Sequence, residues 1–313
     1  MLCRLLVALA LAQPLAAIAW NSAGHRLIAC IAWDRLADGE RAAIAQLLRD
    51  HPDYARWQHR GDTPADGGTD PARKAFIEAS TWPDEIRKDK RFYSAGVDAP
   101  TPTLPGFPDM ERRRNWHGVS YPLAPDGADR GPASGTTPLS GRIDKALPEV
   151  AQTFGARETP RTVRIYALPW LIHLVGDAHQ PLHTSARVDA NGQPETRGAS
   201  VIDPFNPRKR ETTPHAYWDD LPGPPWLRGE KLDAACRELA EAAAPPGAST
   251  PAQWLEESWQ LARSVGYPPG DDVVPTISAE FDARAREIAR RRLGEAGQRL
   301  AELLRESLGE FHN

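Results

Sequence analysis

Residues 171–184 read LIHLVGDAHQPLHT, an apolar run that ends by placing three histidines and one aspartate within eleven positions. His173 and Asp177 are four residues apart, so on a helix they project from one face about one turn, ~5.4 Å, from each other. Pro181 removes a backbone donor and turns the chain, which lets His183 swing back toward the same region. Imidazole nitrogen and carboxylate oxygen suit zinc. The stretch therefore reads either as a buried helix with hydrogen-bonded histidines or as half of a metal site. His179, two beyond Asp177, falls on a different face and is expected to pack or to support its neighbours.

The surroundings are helical. AGHRLIACIAWDRL (23–36) carries Leu27, Ile28, Ile31 and Leu36 at helical spacing, and 41–50 continues with good helix formers. Asp70 and Pro71 read as the cap and first turn of one helix over 70–86. Helices are expected over 140–155 and 159–180, with Pro169 kinking or dividing the second. Thr250 and Pro251 open another, and 277–308 repeats Phe281, Ala285, Ile288, Ala296, Leu300 and Leu303 on one face. Residues 51–69, 94–114, 122–139 and 184–214 read as long loops rich in Gly and Pro. Strand signals are scarce. The expected fold class is all-α, a single helical domain with long loops.

The missing half of a metal site has candidates elsewhere. His215 and Asp219 in TPHAYWDD repeat the four-residue spacing. His117 follows a long loop in NWHGVSYP, and Asp84 shares a helix face with Arg87 in STWPDEIRKD. Each of these alone is also what an ordinary helix turn or loop presents. Their accumulation favours the ligand reading.

Composition bounds the chemistry. The net charge of −4 is too mild for a surface that coats nucleic acid, so an anionic substrate would be drawn by a local site. Residues 1–19 show a basic residue, an apolar run and small residues at Ala17 and Ala19, the pattern of a secretory signal with cleavage before Trp20. That run is shorter than the ~20 apolar residues that span a bilayer. The mature chain, 20–313, is expected to be exported, either periplasmic or extracellular. Cleavage would free the amine of Trp20, which with its own carbonyl oxygen forms a five-membered chelate that His25 could complete. Cys3 leaves with the signal, while Cys30 and Cys236 read equally as a bridge or as buried thiols.

Together these pieces resemble the zinc-dependent single-strand-specific nucleases and 3′-nucleotidases. The motifs are Trp20 with His25, WPDEIR, NWHGVSYP, HLVGDAHQPLH at 173–183, HAYWD at 215–219 and AGQRLAELL at 296–304, in the family's order across the mature chain. The resemblance implies the helical fold shared with zinc-dependent phospholipase C, holding three zinc ions in a cleft. One zinc would take Asp84, His117 and His173, with Asp177 bridging to a second. The second would take the Trp20 amine and carbonyl plus His25, and the third His183, His215 and Asp219. It further implies a secreted endonuclease that cleaves single-stranded DNA, RNA and 3′-nucleotides to 5′-phosphate products. A zinc-bridged hydroxide would attack, Asp84 and Asp177 would serve catalysis, and Arg87 would bind the phosphate. A monomer without a stable protein partner is expected.

Two departures from the family pattern concern substrate choice. Relatives commonly carry an aromatic residue directly after the histidine equivalent to His117 and an Asp two further on, where this chain has Gly118 and Ser120. The Gly-Gly-Asn turn of relatives is replaced near Gly198-Ala199-Ser200, in a lengthened segment. A zinc-dependent phospholipase C and a catalytically weakened exported zinc-binding relative remain as alternative readings.

Overall fold

Two helices that bury nearly every side chain set the architecture of the computed structural model. It describes residues 20–60, 70–128, 130–196, 198–207, 209–242, 249–270 and 272–312. The expected signal, 1–19, lies outside the described residues. Helix α1 (Ser22–Arg35) is capped by Asn21, whose Oδ1 accepts from the Ala23 and Gly24 amides, and every residue from Ala23 to Trp33 is buried. Such an all-round buried helix has to lie inside a bundle.

Helices α2 (Asp38–Arg49), α3 (Tyr54–Gln58), α4 (Pro71–Ala79) and α5 (Trp82–Ile86) follow. Then come α6 (Ile143–Gly155), α7 (Arg161–Ala178), α8 (Pro214–Asp220), α9 (Gly229–Ala242), α10 (Pro251–Val265) and the long α11 (Ala279–His312). Against α1 pack α11, α9, α4 and α7. The chain is thus all-α, and its strands are short pairs that tie loops together. None of the described helices is long and apolar enough to cross a membrane.

Two local expectations are corrected, and a third, that Pro169 kinks or divides its helix, is narrowed. Pro169 neither ends nor divides α7, which is one helix of 18 residues. An interior proline costs about 3 kcal/mol. Leu168, Trp170, Leu171 and Ile172 are all 0% exposed, and burying such side chains is worth roughly 1.5–3 kcal/mol each, so packing outweighs the defect. Conversely, the single helix expected over 70–86 is broken after Ala79. Pro83 has no amide hydrogen for the Ala79 carbonyl, and the hydroxyls of Ser80 and Thr81 donate instead to the Ile77 and Glu78 carbonyls. Within 51–69, read as loop, Tyr54–Gln58 is helical because Trp57 is fully buried against His51.

The long segments are anchored. Residues Tyr121–Leu123 (β1) pair in parallel with Ser185–Arg187 (β2), Tyr121 opposite Ser185. Val201–Ile202 (β3) and Glu211–Thr212 (β4) pair antiparallel within the segment expected as loop. Phe107 and Met110, from the loop at 94–114, are buried, with Phe107 in an aromatic cluster beside Phe92, Trp82 and Tyr166. Cys30 of α1 and Cys236 of α9 form a disulfide, which resolves the alternative left open by the sequence.

Candidate metal centre

Four segments converge at the C-terminal half of α7. His173 and Asp177 share a face of that helix as their spacing predicts, with Nε2 of His173 3.2 Å from Oδ2 of Asp177. The 3-10 turn Pro181–His183 brings His183 back, its Nδ1 3.6 Å from Asp177 Oδ1. The β1–β2 pair does the rest. The Val119 amide donates to the His183 carbonyl at 2.8 Å, which seats His117 against the end of α7. Nδ1 of His117 then lies 3.0 Å from His173 Nε2 and 3.2 Å from Asp177 Oδ2. From α5, Asp84 Oδ1 stands 3.7 Å from the same His117 nitrogen and 3.9 Å from His173 Nε2.

On the other carboxylate oxygen, His25 Nε2 is 3.5 Å from Asp177 Oδ1. His25 stacks on His173 with ring centroids 3.8 Å apart. That approach requires Gly176, because a Cβ there would stand 2.8 Å from His25 Nδ1. Asp177 therefore turns Oδ2 toward one histidine pair and Oδ1 toward His25. A third grouping stands beside these, with His183 Nε2 3.8 Å from Asp219 Oδ1 and His215 Nε2 3.5 Å from Asp219 Oδ2. Trp20 is fully buried, and the next amide, that of Asn21, donates to the Asp219 carbonyl at 3.0 Å.

The donor chemistry fits cations. A tetrahedral ion with ligands near 2.05 Å separates its donor atoms by roughly 3.3 Å, close to the spacing of His117, His173 and Asp177. Nδ1 of His173 lies 2.8 Å from the Ser80 carbonyl and Nδ1 of His183 lies 2.6 Å from the His117 carbonyl. Donating there fixes the tautomers and leaves the Nε2 lone pairs facing inward. Both ring nitrogens of His25, Oδ1 of Asp177 and Oδ2 of Asp219 are buried with no hydrogen-bond partner. Buried polar atoms left this way are costly, unless a bound cation satisfies them.

Burial is the largest influence on the protonation of these groups. Burial drives His25 down to about 3 and also lowers His117, so both imidazoles are neutral at physiological pH. Burial alone would raise Asp177, but His173, His117 and His183 hold it well below the usual carboxylate range. Asp219 is pushed well above that range by burial, against the opposing effects of His215 and Gln180.

The histidines and aspartates predicted as ligands thus lie in this one region, with Arg87 Nη1 3.1 Å from Asp84 Oδ1. His179 lies outside it: its Nδ1 is 2.7 Å from the Val175 carbonyl, and Arg299 donates to its Nε2. Gln180 went unremarked in the sequence, yet its amide donates to Asp219 Oδ1 at 2.7 Å from a fully buried position. Its place inside the HQPLH string was the available signal. Asn21 likewise holds the segment after Trp20, through Asp220 Oδ1 and the Gly223 carbonyl.

The family model described as S1/P1 Nuclease matches residues 20–309. The chain belongs to the S1/P1 nuclease family. A search of curated proteins returned no match. For this S1/P1 nuclease, the match beginning at Trp20 covers every site residue above and supports metal-dependent hydrolysis of nucleic acid. The grouping of Cys30, Asp34 and Cys236 is no thiolate site because its sulfurs are joined.

Proposed function

We propose that the mature chain, released before Trp20 and exported, is a monomeric trinuclear-zinc nuclease. It hydrolyses single-stranded DNA and RNA, and 3′-nucleotides, leaving 5′-phosphate products. One observation carries the reading: Asp177 offers its two oxygens to two different groups of histidines, while His183, His215 and Asp219 form a third group next to them.

Asp84, His117, His173 and Asp177 would hold one ion, Trp20, His25 and Asp177 a second, and His183, His215 and Asp219 the third. Zinc in such a site supplies Lewis acidity toward phosphate and brings the pKa of water toward neutrality. The protein's own part is orientation and charge. The Ser80 and His117 carbonyls hold two imidazoles in register, and Gln180 holds Asp219. Arg87, 7% exposed and fixed on Asp84, is placed to donate to phosphate oxygens as negative charge builds there. Because the ligands other than half-buried Asp84 and His215 are buried, a phosphate reaches them best on a strand free to splay its bases aside, which favours single strands.

The test is direct. The mature protein is purified, its zinc counted by mass spectrometry, and single-stranded DNA, RNA, 3′-AMP and phosphatidylcholine assayed with and without chelator. Three zincs per chain and chelator-sensitive nucleic-acid cleavage are expected. Turnover of the lipid alone would overturn the reading in favour of a phospholipase. A variant with one residue added before Trp20 should lose zinc, since its α-amine has moved.

A further inference from the structure

Beside His215 opens a cavity of about 230 Å³, walled by Thr213, Leu182, Ala199, Arg187 and Tyr267. A second, of about 410 Å³, shares Arg187, Glu195 and Tyr267 with it and continues outward to Arg263. The two cavities thus adjoin at these three side chains, and the smaller one is lined by His215 of the candidate metal centre.

Arg187 stands at the junction. Its guanidinium lies over the Tyr267 ring, 5.1 Å from the centroid, and its Nη2 pairs with Glu195 at 2.8 Å. Gly198 closes on it from the loop, since a Cβ there would be 3.3 Å from Nη1. The side chain keeps 30% of its surface exposed while lining both cavities. A flat, delocalised cation is thus held in place between two adjoining cavities. Farther along, Arg263 lies over Trp259, 5.5 Å from the ring centroid.

We propose that Arg187, backed by Tyr267, is a stacking platform for a nucleobase of the bound strand. The proposal rests on the nuclease reading and names a subsite of it. Its chemistry is specific. Glu195 compensates the charge of Arg187, so the guanidinium offers a π-face more than a phosphate clamp. The platform is built from the lengthened 184–214 segment and the stretch after α10, not from the residues that follow His117. At that position Gly118 has no room for a side chain: a Cβ would stand 2.9 Å from the His183 carbonyl oxygen.

The test uses the zinc-loaded mature protein and a fluorescein-labelled hexathymidylate with phosphorothioate linkages that resist cleavage. Arg187→Ala should bind it about tenfold more weakly. Arg187→Lys, which keeps the charge and the Glu195 pair, should be weakened as well. The slope of log affinity against log salt should be unchanged, because no phosphate contact is lost. Replacing one thymidine at a time by an abasic residue should cost the unsubstituted protein about tenfold at one position and Arg187→Ala nothing there. On the cleavable oligonucleotide, KM should rise while kcat stays within twofold.

Equal affinity in the two proteins, equal abasic costs, or a salt slope shallower by about one in Arg187→Ala would overturn the subsite. Those failures appear only in the comparison of variants. Failure of the unsubstituted protein to bind or cleave nucleic acid overturns the nuclease reading, and the subsite with it.

Discussion

Nδ1 of His173 is 2.8 Å from the main-chain carbonyl of Ser80, across the break between α4 and α5. In an unbroken helix that carbonyl would receive the Asp84 amide. The interruption therefore orients the imidazole and sets Asp84 on a separate short helix beside it.

Mending the break should loosen the metal centre. In the double variant Thr81→Ala, Pro83→Ala, residue 83 regains a donor for the Ala79 carbonyl, and the competing Thr81 hydroxyl is gone. Outer-shell losses of this kind typically cost 10–100-fold in metal affinity. Competition with a chromophoric chelator should show about a tenfold weaker zinc affinity, with helix content equal or higher by circular dichroism.

Gly118→Ala should be disproportionately harmful for one methyl group. The new Cβ meets a backbone oxygen of His183, at 2.9 Å, and not a yielding side chain. Relief requires β1 to move from β2, which carries His117 away from His173. Reduced zinc stoichiometry is expected, together with a loss of 1–3 kcal/mol typical of overpacking, about 2 kcal/mol in urea unfolding. Full zinc content with unchanged stability would contradict this geometry.

Acid sensitivity should be traceable to a histidine remote from the proposed ligands. His51 is buried among Trp57, Trp82 and Phe107, and burial takes it from 6.5 down to about 3. Its folded pKa lies below the unfolded one. The associated stability is complete above pH 6.5 and falls away as pH drops toward 3. Between pH 7 and pH 5 that amounts to about 2 kcal/mol, at 1.36 kcal/mol per unit. Urea unfolding of His51→Gln at the two pH values should show a decline smaller than wild type by about that amount.

Removing the disulfide should cost stability without removing metal. The bridge spans a sequence separation of 206, for which the chain-entropy relation gives about 5 kcal/mol. Cys30→Ala, Cys236→Ala should have a markedly lower urea midpoint while retaining its zinc. Loss of zinc together with the bridge would contradict this separation of roles.

Legibility in the sequence followed the range of the interactions. The four-residue spacings of His173 with Asp177 and His215 with Asp219 needed only a helix to become geometry, and both pairs meet. The cap at Thr250 was visible for the same reason. Pro169 does not divide α7 because its local cost is offset by burial of that helix, a tertiary quantity that periodicity does not report. The break before Trp82 is hidden because the helical pattern over 70–86 runs on through Pro83. The short pairing of β1 with β2 gives no period to read, yet it joins His117 to His183. Gln180 and Ser80 act on the ligands through one amide and one carbonyl, groups that sequence alone does not aim.

Cys30 and Cys236 also enclose a covalent ring of chain. Asp84, His117, His173, Asp177, His183, His215 and Asp219 all belong to that ring, and of the proposed ligands only Trp20 and His25 lie before it. A protease that cuts one surface loop between the two cysteines leaves both fragments tethered and the ring's ligands on a single molecule. Nicked protein would separate into two bands only after reduction. Under proteolysis, a single cut is then a change of connectivity and not a dissociation.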